Sequence, residues 1–206
     1  MSRFKTALIL IVLLLACTSA NNVLPRLASA ETPMSGVHGI PRKLWDTEEL
    51  LPVSNPRILV KKGERKLLFY SGDKLVRTYR IGLGLNPIGD KVRQGDRKTP
   101  EGDFYIFTKN DKSAFYLSLG ISYPNAAHAE RGLRDGLIAK AQYNTILEAL
   151  KAGKTPPQNT ELGGDIYIHG NGARSDWTWG CVALEDDDIR ELFNAVAVGT
   201  PVTIKP

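Results

Sequence analysis

Residues 57–84 read RILVKKGERKLLFYSGDKLVRTYRIGLG, and the fold turns on how this stretch is cut. Ile58 and Val60, then Leu67, Leu68 and Phe69, then Leu75, Val76, Tyr79 and Ile81 form three short β-type runs. KKGER and SGDK separate them, and Gly63 and the Ser-Gly-Asp run supply the turn chemistry. The stretch therefore predicts a β-meander. Downstream, GDFYIFTKN (102–110), IYIHG (166–170) and PVTIKP (201–206) read as three further strands. This spacing predicts a β-rich domain built from packed sheets.

Two segments have a different rhythm. In residues 125–154, Leu133, Leu137, Ile138, Ala141, Ile146, Leu147 and Leu150 recur at helical spacing. Gly136 interrupts the pattern once, and Gly153 with Pro156 and Pro157 ends it. A helical insertion near 126–152, of one or two helices, is expected. LEDDDIRELFNAVAVG (184–199) predicts one more helix, with acidic residues in its first turn, an apolar face of Ile189, Leu192, Phe193 and Val196, and Gly199 as its stop.

The N-terminal twenty residues carry Arg3 and Lys5, an apolar run from Ala7 to Ala16, then small residues. That is the layout of an export signal, and the run is well short of the roughly 20 residues a membrane-spanning helix needs. Cleavage after Ala20 is expected; the alternative is a lipoprotein signal in which Cys17 becomes the acylated first residue. Residues 21–56, rich in Pro, Ser, Asn and Gly, form a lead-in, and 57–206 the domain proper. The 206 residues, 42% hydrophobic and 24% charged, suffice for one domain with a real core. The net charge of +5 suits work near an anionic surface or polymer. No basic run is interleaved with aromatics, so nucleic acid is not an expected partner.

With Cys17 removed, acylated or held at the membrane, Cys181 stands alone. It is a packing residue or a nucleophile, since a solitary exported cysteine has no structural disulfide partner. A thiol of ordinary pKa near 8.5 needs a base beside it to attack at neutral pH. Of three histidines, His38 falls in the lead-in and His128 in the insertion, and both read as solvated surface residues. His169 ends an alternating strand in which Tyr167 and His169 share one face, and Gly170 and Gly172 follow at once. In DWTWGCVAL (176–184), Gly180 allows an unusual backbone angle, so the amides near Cys181 are candidates to meet a developing oxyanion. Thr178 is placed to tie the loop through its hydroxyl, while Trp177 and Trp179 read as loop packing or a substrate wall. One cysteine and one histidine leave a zinc site two ligands short, so no metal is expected.

Taken in order, YRIGLGLNPIGDKVRQGDRKTPEGDFYI, SLGISYPN, GGDIYIHG, DWTWGCVAL and VGTPVTI resemble the catalytic domain of the L,D-transpeptidases, the YkuD-type enzymes of bacterial cell-wall metabolism. The resemblance covers about Arg57 to Pro206. It implies a mainly β fold with helical insertions (α+β), β-sandwich-like, and no cofactor. It assigns Cys181 as nucleophile, His169 as general base with the Gly170 backbone orienting the ring, and Gly180 as part of the oxyanion site. Tyr123, Thr178 and Trp179 are the candidate substrate contacts, with core packing as the other reading of Tyr123. The commoner family motif is Ser-His-Gly-Cys; here Trp179 stands at that second histidine, as in a branch with Asp-Trp-Thr-x-Gly-Cys.

The implied reaction is attack of the Cys181 thiolate on a peptidoglycan stem carbonyl beside an L-configured centre, with D-alanine leaving and a thioester remaining. An amine acceptor then gives a cross-link; water gives carboxypeptidase, endopeptidase or amidase chemistry, including release of a wall-linked protein. A non-catalytic wall-binding module is the reading from another class. Carbapenem-type inhibitors are expected to react, and the expected location is the periplasm or cell envelope, with membrane contact only through a signal or lipid anchor.

Overall fold

The computed structural model describes residues 53–206, so Cys17, His38 and the signal lie outside the described residues. The meander forms as β1 (Pro56–Lys61), β2 (Lys66–Ser71) and β3 (Lys74–Arg80), antiparallel in sequence. Alternation decides their facing: Ile58, Val60, Leu67, Phe69 and Tyr79 are buried while their neighbours are at least partly exposed. Gly72, with φ of 56°, supplies the two-residue turn between β2 and β3 that a side chain would resist.

The remaining strands are β4 (Gly102–Ser113), β5 (Tyr116–Ile121), β6 (Tyr167–His169), β7 (Val182–Ala183) and β8 (Pro201–Lys205). All eight belong to one sheet in the order β3-β2-β1-β8-β4-β5-β6-β7. The long strand β4 joins its two halves, pairing with β8 over Gly102–Tyr105 and with β5 over Ile106–Ser113. The sheet then curls back on itself, because Gly82, just past β3, exchanges backbone bonds of 2.9 and 2.8 Å with Ala183 on β7. The packed sheets expected from strand spacing are thus two halves of one curled sheet. A single apolar core, from Ile58 and Phe69 through Ile106 and Leu119 to Val182 and Ile204, fills the space between them.

Helix α3 (Asp186–Ala195) sends Ile189 and Leu192 into that core, and its three first-turn aspartates sit at the positive end of the helix dipole. The insertion is two helices, α1 (Ala126–Arg134) and α2 (Lys140–Lys151), parted at Gly136 with φ of 71°. They bury a cluster of their own, built on Ala129, Ile138, Ile146 and Leu162.

The expectation of a solvated His128 is corrected. It is 2% exposed, with Nε2 3.0 Å from Asp90 Oδ1 and its ring edge-on to Tyr123. Arg131 binds the other Asp90 oxygen at 2.9 Å. Burial works to raise the Asp90 pKa, but the bonds to His128, Arg131 and the Glu101 amide win and hold it well below the ordinary carboxylate range. This cluster ties the insertion to the 82–101 loop. From the sheet side, buried Lys62 ties the same loop through Gly89 O, Thr99 O and the Glu101 carboxylate, at 2.7–2.9 Å.

Candidate active site

Strand register brings the two residues singled out by chemistry to one face of the sheet. β6 and β7 run parallel with Ile168 opposite Val182 and His169 opposite Ala183, which sets Cys181, one residue before β7, opposite Tyr167. Side chains alternate along a strand, so His169 and Cys181 share a face as diagonal neighbours, with Cα atoms about 8 Å apart given a strand spacing near 4.8 Å and a rise near 3.3 Å per residue. That is within side-chain reach.

The imidazole is held on three sides. Its Nδ1 donates to the Gly170 carbonyl at 2.7 Å, so the ring proton sits on Nδ1 and Nε2 keeps a lone pair. Phe115 stacks on it with centroids 4.6 Å apart, and Trp177 meets it edge-on at 5.5 Å. Burial lowers the His169 pKa, outweighing the bond to Gly170 that raises it. Gly170 is compulsory: a Cβ there would lie 2.5 Å from Asp186 Oδ1 and 2.9 Å from Phe115 O.

Cys181 Sγ takes the Tyr167 amide at 3.4 Å and points its proton at Asp165 O, 3.5 Å away. Burial pushes the thiol up to about 11, against the pull of the Tyr167 amide. The resting pair is therefore a neutral thiol and a neutral imidazole, each bonded to backbone.

Asp-Trp-Thr builds the loop that carries the sulfur. Asp176 accepts from the Leu83 amide (2.9 Å) and from Arg65 Nε and Nη2 (3.0 and 2.7 Å). Trp177 Nε1 donates to Gly172 O at 3.0 Å. Thr178 Oγ1 donates to Cys181 O (2.8 Å) and accepts from Gly180 N (3.2 Å). Gly180 has φ of 130°, and a Cβ would lie 2.7 Å from Lys98 O. Two consequences follow. The Gly180 N–H is engaged by Thr178, so it is not free for an oxyanion, whereas the Cys181 N–H has no acceptor among the described residues. Thr178, 3% exposed with its hydroxyl used twice, ties the loop as its place in the sequence suggested.

Tyr123 is likewise a packing residue: it is fully buried and its hydroxyl donates to Leu162 O at 2.9 Å. Trp179 is 69% exposed, with the Arg97 guanidinium 5.0 Å from its ring centroid. Residue-by-residue reading missed Arg65, Phe115 and Asp165. Nothing local marks them, since each acts across a long sequence separation. Among the described residues, no group of three or more His, Cys, Asp or Glu side chains is placed to hold a metal ion.

The model of the L,D-transpeptidase catalytic domain, YkuD, matches residues 55–204, and the chain belongs to that family. YafK of Escherichia coli (strain K12) is 35% identical over 138 residues, 62% of this chain and 52% of that protein. The chain thus spans about half the length of the curated relatives it matches. In fold it is similar to Pgp2 (K307A mutant) from Campylobacter jejuni, a helical cell shape determining protein: the TM-score is 0.51 at 24% identity, covering 74% of this chain and 47% of that one.

Proposed function

We propose that the protein is a cysteine L,D-transpeptidase acting on peptidoglycan stem peptides in the cell envelope through a thioester acyl-enzyme. The observation that carries this reading is the same-face register of Cys181 and a neutral His169 whose Nδ1 proton is spent on Gly170, leaving Nε2 as a base.

Substrate entry draws the sulfur away from Asp165 O by rotation about its Cα–Cβ bond, and His169 Nε2 takes its proton. A thiol raised to about 11 resists ionisation alone, so proton transfer accompanies attack on the carbonyl. The Cys181 N–H, lacking another acceptor, is the donor best placed for the tetrahedral oxyanion. His169 returns the proton to the departing amine. The thioester then passes to an amine of a second stem or to water.

The test is intact-mass spectrometry of the purified protein with a carbapenem. One covalent adduct per chain is expected on Cys181, absent in Cys181→Ala and formed about 10²–10⁴-fold more slowly in His169→Ala. An adduct surviving in Cys181→Ala overturns the assignment, as does an unchanged rate in His169→Ala. Digestion with purified muropeptides separates transfer from hydrolysis by product mass; neither product would favour a wall-binding module.

A further inference from the structure

We propose that Gln158 is a positioning residue that, through Asp165, holds the Cys181 thiol in its resting place, so that the segment leaving the helical insertion sets how readily the sulfur is released. This deepens the acyl-transfer reading above and rests on it.

The resting sulfur occupies a place in the ladder. At the start of β6 it meets the Asp165 carbonyl at 3.5 Å and the Tyr167 amide at 3.4 Å. A C=O and an N–H two residues apart on one strand edge are the pair that a residue of a parallel neighbour bonds. Here a thiol takes them instead. S–H is a weak donor and sulfur a weak acceptor, so the thiol is held only as well as Asp165 and Tyr167 are themselves fixed. Tyr167 is fixed by pairing with Gly120 on β5. Asp165 precedes the strand and needs another anchor.

Gln158 supplies it. Its Oε1 accepts from the Asp165 amide at 2.7 Å, while its Nε2 donates to Tyr123 O at 3.0 Å and to Pro156 O at 2.6 Å. One end of the amide must accept and the other must donate, which fixes its orientation. Tyr123 precedes α1 and Pro156 follows α2, so one side chain joins both ends of the insertion to the residue whose carbonyl accepts from the thiol. Asp165 itself has φ of 54°, a left-handed conformation that aspartate tolerates better than most residues. The loop between Gln158 and Asp165 is closed: the Gly163 amide donates to Thr160 O at 2.8 Å, and a Cβ on Gly164 would lie 2.5 Å from the Gln158 Cα. The Gln94 amide, bonded to Glu161 O at 2.8 Å, ties the same loop to residues 82–101.

This anchoring bears on the proton. Burial, the largest influence, pushes the thiol up to about 11, and the Asp165 charge adds to it against the pulls of the Tyr167 amide and Lys91. Bonding of the protonated thiol to Asp165 O acts in the same direction, because it favours the neutral form. Loosening Asp165 therefore makes the thiol easier to ionise.

The experiment measures iodoacetamide alkylation of Cys181 against pH on the full protein, located by peptide mass; the partial exposure of the residue admits the reagent. Gln158→Met keeps the side-chain length and loses the bonds to Asp165, Tyr123 and Pro156, so the midpoint of the profile should fall toward the ordinary thiol value of about 8.5. At about pH 7.5 alkylation should quicken by roughly threefold per pH unit of that fall, since tenfold more thiolate is partly offset by its lower nucleophilicity. Should Gln158→Met fail to fold, Gln158→Asn, one methylene too short to span both sides, carries the same test. Gln158→Glu still accepts from the Asp165 amide but cannot donate, and its midpoint should stay at or above that of the wild type. The Met and Glu variants both lose the bonds to Tyr123 O and Pro156 O, so a shared drop in melting temperature cannot produce the difference between them. Asp165, Lys91, Tyr167 and His169, the titratable groups that act on the thiol or share its face, are unchanged in every variant. Thr145→Ala, on α2 and bonded within its own helix, should leave the profile as in the wild type. An unmoved midpoint in Gln158→Met, or an equal fall in Gln158→Glu or Thr145→Ala, overturns the link while leaving the acyl-transfer reading standing. A wild type that alkylates but forms no carbapenem adduct removes the acyl-transfer reading, and with it the catalytic meaning of the link.

Discussion

The two halves of the curled sheet are built differently. In β1, β2, β3 and β8 the strands are five to seven residues long, and β1, β2 and β8 alternate buried and more exposed positions along their backbone ladders. In the half that holds the candidate site, β6 has three residues and β7 two. Strands that short have ladders of only two or three residue pairs to stabilise them. Their geometry draws as well on side chains bonded to backbone, Asp176 and Thr99 across long sequence separations and Thr178 within its own loop. The lesson is a division of labour: periodic burial makes the scaffold, and a polar bonding net shapes the candidate site.

The sharpest way to break this contrast is to damage each half and ask what is lost. Phe69→Ala, in the scaffold half, removes a fully buried ring and should cost about 3–5 kcal/mol of unfolding free energy, read by urea denaturation. Carbapenem acylation per folded molecule should stay near wild type.

Asp176→Ala attacks the net. It strands the Leu83 amide and the Arg65 guanidinium and should cost about 1–3 kcal/mol. Here acylation should slow well beyond the loss of folded protein. If Phe69→Ala impairs acylation of the folded fraction as strongly, the two halves are not separable in this way.

The smallest effect is expected at Phe115, whose stack on His169 contributes about 0.5–1.5 kcal/mol. Burial lowers the His169 pKa, so the base stays unprotonated, and acylation persists, to a lower pH than an ordinary histidine would allow. Phe115→Ala admits water to the ring and should shift the acid limb of the rate–pH profile upward. A downward or absent shift would mean that burial by Phe115 does not set the imidazole's proton affinity.

Legibility in the sequence followed the same division. Ile58, Val60, Leu67, Phe69 and Tyr79 announce their strands because one face is dry and the other wet, and Gly136 announces the break between α1 and α2 because a left-handed turn favours glycine. Strand β5 was not legible: Leu119 and Ile121 are buried, but so are Ser118 and Gly120, since both faces of the strand are covered, and alternation vanishes. His128 misled for a related reason. A histidine on a predicted helix reads as solvated until Asp90, 38 positions earlier, folds over it. For Thr178 and Tyr123 the sequence left two readings open, substrate contact or internal bonding, and their hydroxyl partners show the internal bonds.

Residues alone determined the strand-forming runs and the family to which their order points, and they marked one cysteine and one histidine followed by glycine as the candidate pair. Those are local properties: periodicity, turn chemistry, and the need of a thiol for a base. Tertiary structure decided that the sheet is single and curled, that the sulfur and the imidazole share a face, that the thiol rests protonated against Asp165 O, and that Arg97 crosses Trp179. Each of these depends on register and burial between segments distant in the chain, and such pairings leave no periodic trace in any one of them.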